Sequence, residues 1–405
     1  MNVFTKIGCR LYQKVIYVAE YFLNWYEADT LKGANSFDKL PAWLKEHGRK
    51  NVLLVTDKYL SQVLGLSAKL EQGLKEQEVG CVIYDNVVPN PTIECIEEGV
   101  ELYKNGNCDC IVALGGGSPL DCAKGIGARI ACPKKQVAQM KGVLKVNRKL
   151  PPLYAIPTTA GTGSEVTLAA VISNPAKNEK YPINDPVLIP RFVVFDPMLT
   201  VGLPGHMTST TGMDALTHAV EAFIGKSNTK ATKKQAIEAT QLIFKYLKRA
   251  YDNGATDIEA REQMQIAAYL AGKAFTRAYV GYVHAIAHTL GGFYGVPHGL
   301  ANSVLLPHVL KKYGKAAHKK LALLADAVGI TGATNEEKAN AFIAAIEKMN
   351  ADMNIPTVIS GKWTIKDEDI DAMVDHAYSE GNPLYPVPKL FGKKEMRELI
   401  KEIQG

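Results

Sequence analysis

Short, uniformly apolar runs separated by helical patterns dominate the first half of the chain and leave it few ways to fold. Asn51-Val52-Leu53-Leu54-Val55-Thr56, Val79 to Tyr84, Cys110-Ile111-Val112-Ala113-Leu114 and Phe192-Val193-Val194-Phe195-Asp196 read as strands buried on both faces. A helical pattern around Asp38 to His47 precedes the first run. A turn at Val88-Pro89-Asn90-Pro91-Thr92 opens another helix before the third. This alternation predicts a parallel, doubly wound sheet. After Asp196, Pro197 and Pro204 mark a boundary, and the pattern is helical to the end of the chain. The expected organisation is an α/β domain over residues 1–200 with an N-terminal helical extension, then an all-α domain over residues 201–405.

With 47% apolar and 22% charged residues, the chain can bury a sizeable core. Its formal charge of +6 is interleaved with acidic residues, and no run of Lys and Arg tracks a phosphate backbone, so no nucleic acid partner is expected. Seven cysteines without zinc-finger or thioredoxin spacing argue against a disulfide framework and for a reducing, cytoplasmic setting; Cys108 and Cys110 fit packing at the start of a strand. No apolar run approaches the length of a transmembrane helix, and the start lacks a signal peptide's unbroken apolar core. From Arg10 to Trp25 an amphipathic helix is expected, with Leu11, Val15, Val18 and Phe22 at helical spacing and Lys14 and Glu20 elsewhere. It would cover a domain edge or join two subunits. Its aromatic content suits a membrane surface, but without a strongly basic face no membrane partner is expected.

The third apolar run leads into Gly115-Gly116-Gly117-Ser118-Pro119-Leu120-Asp121-Cys122-Ala123-Lys124. Ser118 is a good N-cap, Pro119 suits the first helical position, and Asp121 can reach back as in a capping box. Three glycines before a helix let the backbone approach a ligand, and the first N–H groups with the helix dipole favour a pyrophosphate. Leu120 occupies the place of the third glycine of the standard dinucleotide fingerprint, and the Walker pattern is absent. A second polar loop, Thr158-Thr159-Ala160-Gly161-Thr162-Gly163-Ser164-Glu165, follows another apolar run. It sets hydroxyls and glycines at a strand's carboxyl end, where α/β sheets bind ligands.

In the second half, three of nine histidines fall within Gly281 to Gly299. His284 and His288 are one helical turn apart on an apolar face, and the Gly295-Val296-Pro297-His298-Gly299 turn can swing His298 back towards them. Ala285 stands where a His-Glu-x-x-His zinc protease needs its glutamate. Upstream, Thr211-Gly212-Met213-Asp214-Ala215-Leu216-Thr217-His218-Ala219-Val220-Glu221 carries Asp214 and His218, again one turn apart. One carboxylate and three imidazoles suit a borderline divalent ion such as Fe(II) or Zn(II). Spacing alone does not choose between His284 and His288.

Together Gly115-Gly116-Gly117-Ser118-x-x-Asp121, the Thr158 to Glu165 loop, Gly212-x-Asp214-x-x-x-His218, and His284-x-x-x-His288 with Pro297-His298-Gly299 resemble the iron-containing, group III alcohol dehydrogenases. The resemblance runs from about Gly33 to the C-terminus. It implies a Rossmann-like NAD-binding domain, an all-helical metal domain and catalysis in the cleft between them. Carried over by position, it makes Asp214, His218, His284 and His298 the metal ligands and sets His288 near the nicotinamide as the proton relay. The implied cofactor residues are Asp57, Asn90, Gly116, Gly117, Ser118, Asp121, Thr158, Thr159 and Lys180. Gly117 and Ser118 meet the pyrophosphate, Thr158 and Thr159 the far side, Lys180 the nicotinamide ribose and Asp57 the adenine ribose. A carboxylate at Asp57 favours NAD over NADP, although Lys58 beside it works the other way. The family's usual opening, Phe-Gly-x-Gly-Ala, survives in Thr30-Leu31-Lys32-Gly33-Ala34 only as Gly33 and Ala34.

The activity so implied is metal-dependent hydride transfer between NAD(H) and a small primary alcohol or diol and its aldehyde, in a homodimer or higher homo-oligomer. A glycerol dehydrogenase, a maleylacetate reductase and a hydroxyacid-oxoacid transhydrogenase share the fold. A metallohydrolase would use the four ligands and leave the glycine loop structural.

Overall fold

The computed structural model describes residues 1–19, 23, 25, 27–175 and 179–405. It divides into two compact units, one of residues 24–202 and one of residues 1–23 with 203–405. The opening helix α1 (Val3–Ala19) therefore belongs with the helical unit, not with the α/β domain that follows it in sequence.

The reason lies in its polar side. Arg10 donates to the carbonyls of Val387 and Pro388, and Gln13 Nε2 donates to those of Pro383 and Tyr385. Cys9 and Gln13 are buried, while Val3, Phe4, Ile7, Leu11, Tyr12, Val15 and Val18 are 42–86% exposed. The apolar face expected to pack thus points outward. The helix also starts seven residues before the expected Arg10, and Glu20, Phe22 and Tyr26 lie outside the described residues.

The α/β unit contains strands β1 (Asp29–Lys32), β2 (Asn51–Val55), β3 (Gly80–Tyr84), β4 (Cys110–Gly115), β5 (Gly142–Val143), β6 (Leu153–Pro157), β7 (Ala169–Asn174), β8 (Glu179–Asn184) and β9 (Phe192–Phe195). Six of them form one sheet in the order β1-β9-β6-β4-β2-β3, with every neighbouring pair parallel. Val52 to Val55 and Cys110 to Leu114 are fully buried, because helices cover both faces of the sheet. Helices α2 (Leu40–Glu46) and α3 (Leu66–Glu76) place Leu40, Leu44, Leu70 and Leu74 against Val52, Leu54, Val112 and Leu114. α4 (Ile93–Asn105), capped by Thr92, packs beside α5 (Gly117–Ala131). Strand order reverses between β2 and β4: β3 lies outside β2 on one side, while β6 and β9 continue beyond β4 on the other. Their carboxyl ends, with Val55 opposite Ala113, form the switch point at which such sheets bind ligands. β5, β8 and β7 make a separate small sheet.

The helical unit adds α6 (Gly205–Ile224), α7 (Lys230–Asn253), α8 (Ile258–Ala278), α9 (Tyr282–Tyr294), α10 (His298–Tyr313), α11 (Lys315–Ala327), α12 (Asn335–Asp352), α13 (Ile370–Gly381) and α14 (Lys393–Glu402). Every residue of α6 from Gly212 onwards is buried, so this helix is the unit's axis and packs against α7, α8 and α10. Among the described residues no helix is long and apolar enough to cross a membrane, and all seven cysteines are free thiols.

Candidate functional site

Helix α6 carries Asp214 and His218 on one buried face, α9 brings His284, and His298 is the first residue of α10. The start of α10 lies so close to α6 that a Cβ on Gly299 would stand 2.4 Å from the Thr210 carbonyl oxygen; glycine is what allows the approach. As a result one donor atom from each of the four side chains lies within 4.8 Å of the others. Asp214 Oδ1 is 3.6 Å from His298 Nε2, 3.8 Å from His284 Nε2 and 4.0 Å from His218 Nε2. Two ligands each about 2.1 Å from one ion can be at most about 4.2 Å apart, so the carboxylate already sits at coordination range of all three imidazoles. Three of the four residues are buried, while the His298 side chain is 32% exposed and leaves one side open.

The imidazole of His284 is oriented from behind. Its Nδ1–H donates to Glu221 Oε2 at 2.6 Å, which turns the Nε2 lone pair into the cluster. Burial, then the neighbouring His218, His298 and His288, hold His284 well below the usual imidazole range, in the neutral form that a metal takes. The same Glu221 accepts from the Gly281 and Val283 N–H groups at the start of α9, at 2.8 and 2.9 Å. Burial, offset only in part by N–H donors, pushes its carboxyl up to about 8.

The cluster holds more lone pairs than protons. Asn302 Nδ2 is 2.6 Å from Asp214 Oδ1, 3.1 Å from His298 Nε2 and 3.2 Å from His284 Nε2, so one amide group with two hydrogens faces three acceptors. The Asn302 Oδ1 is buried without a partner. A divalent cation answers this surplus, and the donor set fits one.

His288, one turn beyond His284, stays outside this set. Its Nδ1–H donates to Glu380 Oε1 at 2.6 Å, and the Tyr385 hydroxyl donates to the same oxygen at 2.7 Å. Its ring stacks on His298 with centroids 5.2 Å apart and is partly exposed. Glu221, Asn302, Glu380 and Tyr385 were not expected from the sequence. A signal existed for two of them: Glu221 is three residues after His218 in an otherwise apolar stretch, and Asn302 is four after His298, on the same helical face.

In the α/β unit, Gly115 has φ +152°, and a Cβ there would meet Pro119 Cγ at 2.5 Å, so only glycine fits between β4 and α5. The helix starts two residues earlier than expected. Gly116, in an extended conformation, takes the N-cap position, and no side chain caps the first turn. Ser118 is thus inside that turn and Pro119 is its third residue. Asp121 does not reach back: it is half-buried and accepts instead from Ser164 Oγ at 2.6 Å and the Val171 N–H at 3.0 Å. The absent side-chain cap leaves first-turn N–H groups of the kind that bind phosphate.

The other cofactor candidates gather at this end of the sheet. Asn90, with φ +57°, donates its N–H to Ser118 Oγ at 3.1 Å and accepts from Lys180 Nζ at 2.7 Å. The Thr158 N–H donates to the Gly115 carbonyl, tying the loop after β6 to that after β4. Thr159 and Thr162 press on the places that side chains at Gly116 and Gly117 would occupy, at 3.3 and 3.0 Å. Asp57 lies two residues beyond the end of β2 at the switch point, where its Oδ1 accepts from the Leu60 N–H. Ser164 and Glu165, expected to line the crevice, are buried instead. The buried Lys124 draws Ser164 inward with Thr167 and the Ala169 carbonyl; burial lowers its ammonium to about 8 and raises the Glu165 carboxyl to about 7.

Residues 28–197 match the family model described as iron-containing alcohol dehydrogenase, and residues 208–404 match that of the Fe-containing alcohol dehydrogenase family, C-terminal. Alcohol dehydrogenase 4 of Schizosaccharomyces pombe is 42% identical over 348 residues, 85% of this chain and 81% of that protein. The 1,3-propanediol dehydrogenase of Citrobacter freundii is 39% identical over 373 residues, 91% of this chain and 95% of the other. A solved structure of 1,3-propanediol oxidoreductase superposes with a TM-score of 0.88 at 37% identity, covering 94% of this chain and 100% of that one. Two family matches in order, and relatives alike over 81% and 95% of their own length, show that this chain belongs to the iron-containing alcohol dehydrogenases, a family of oxidoreductases.

Proposed function

We propose that this protein interconverts a small primary alcohol or diol and its aldehyde using NAD(H), with Fe(II) held by Asp214, His218, His284 and His298, and Zn(II) as the alternative ion. The observation that carries the reading is the convergence of one carboxylate and three imidazoles, with one side open and His288 beside it. An ion there would supply Lewis acidity, easing loss of the alcohol proton and polarising the aldehyde carbonyl, while the nicotinamide exchanges hydride. Glu221 fixes the tautomer that presents His284 Nε2. Glu380 does the same for His288, leaving its Nε2 to take and return a proton.

In the α/β unit, the first turn of α5 with Gly116, Gly117 and Ser118 receives the pyrophosphate, while Thr158, Thr159, Asn90 and Lys180 line the cofactor. Asp121 supports them from below through Ser164. Asp57 meets the adenine ribose and disfavours a 2′-phosphate. The 1,3-propanediol named for two relatives supports short alcohols and diols as substrates. Cytoplasmic location and assembly as a homodimer or larger homo-oligomer complete the reading; among the described residues β1 is an edge of its sheet, to whose outer side a second copy could add.

The test is anaerobic NADH oxidation with a panel of short aldehydes, on protein stripped of metal and refilled separately with Fe(II) or Zn(II). Restored turnover identifies the ion and ranks the substrates. Failure to bind any dinucleotide would overturn the reading in favour of a hydrolase.

A further inference from the structure

Helix α1 is inside out: hydrogen-bonding side chains hold it to the protein, and its apolar face is turned away. Phe4, Ile7, Leu11, Val15 and Val18 recur at three- and four-residue spacing and are 53–86% exposed, forming one stripe along 17 residues. Soluble monomers rarely expose a contiguous apolar patch of more than a few hundred Å². The helix carries Lys6, Arg10 and Lys14 and no acidic residue, and Lys14 is exposed on the flank of the stripe.

The ground beside it is basic as well. Arg10 grips the carbonyls just before Lys389, and a Cβ on Gly392 would lie 2.8 Å from the Met1 nitrogen, which brings Lys393 and Lys394 to the same end. Asp375 pairs with Lys393, and Glu395 is engaged with the Gly392 N–H. In sequence, residues 3–26 contain seven aromatic residues, against 8% in the whole chain, the composition of segments that lie in a bilayer interface.

Two candidates could cover such a stripe, and charge separates them. A second copy of α1 packed face to face would bring both Lys14 side chains to one apolar seam, with no acid on either helix to answer them. An anionic lipid surface answers the apolar stripe and the lysines together. Against the expectation of no membrane partner, which rested on the helix alone, we propose that α1 is an in-plane anchor that seats the enzyme on bilayers containing anionic lipid.

The test is co-sedimentation of the full-length, metal-loaded enzyme with vesicles of phosphatidylcholine alone or with one-third phosphatidylglycerol. The enzyme should pellet with the anionic vesicles and stay in solution with the neutral ones. Leu11→Asp and Lys14→Glu, both at exposed positions, should each lower the bound fraction about tenfold and leave turnover in solution unchanged. Equal pelleting on neutral vesicles, or none on anionic ones, overturns the proposal. So does a particle mass that falls with Leu11→Asp in the absence of lipid, which would assign the stripe to a second copy of the chain.

Discussion

Replacing Glu221 by glutamine keeps the shape of the side chain and removes one of its two acceptor oxygens. In the structure those oxygens serve three donors: Oε2 takes the Gly281 N–H and His284 Nδ1–H, and Oε1 takes the Val283 N–H. The best arrangement of the amide keeps the first two and sets its NH2 against the Val283 N–H. A buried donor left without an acceptor costs about 1–3 kcal/mol. Weaker support for the ligand imidazole should lower metal affinity about 10- to 100-fold. At roughly 2–4 °C per kcal/mol for a unit of this size, Tm should fall by about 2–12 °C. Metal retention is read by equilibration against chelators of graded strength, with the ion counted by atomic emission, and Tm by calorimetry. A Glu221→Gln enzyme that keeps the wild-type chelation midpoint and the wild-type Tm would refute the view that this carboxylate orients His284 and holds the start of α9.

Three further outcomes are expected. His284→Ala should abolish metal content and turnover together, whereas His288→Ala and Glu380→Gln should keep the metal and slow turnover about tenfold or more; equal metal loss in all three would show the ligand assignment to be wrong. Gly115→Ala forces a Cβ against the Pro119 ring at a φ of +152° and should cost about 2–4 kcal/mol, seen as a lower urea midpoint and weaker NADH binding by fluorescence titration. For Glu165, burial raises the carboxyl from 4.5 to about 7, so between those pH values the folded chain keeps a proton that the unfolded chain releases. The stability from the neutral carboxyl is then full below pH 4.5 and declines as pH rises through 7, by roughly 3 kcal/mol. Glu165→Gln should flatten that part of the profile of urea midpoint against pH, and an unchanged slope would contradict the assignment.

The strands were legible because a parallel sheet covered on both faces needs continuous apolar runs, and the start of β2 at Asn51 and of β9 at Phe192 fell where those runs begin. The histidine spacing showed in the same way, since an i, i+4 pair on a helix is a local fact. What sequence could not give was set by distant contacts. Glu221 meets His284 across 63 positions and Glu380 meets His288 across 92, distances at which no periodicity speaks. The start of α5 moved because Gly116 accepts the extended cap conformation as readily as a capping serine does, and Asp121 found a better partner in Ser164. In α1 the pattern revealed an amphipathic helix but not which side faces inward; that was decided by carbonyls near residue 385, which Arg10 and Gln13 can reach.

The four candidate ligands sit on α6, α9 and α10, with 66 positions between His218 and His284. An ion shared among them is a cross-link as well as a reagent: closing a loop of that length removes roughly 4 kcal/mol of freedom from the unfolded chain. When metal is scarce, the stripped enzyme should open more often and be cleared faster by proteases, so that its lifetime in the cell, and not only its turnover, follows the supply of the ion.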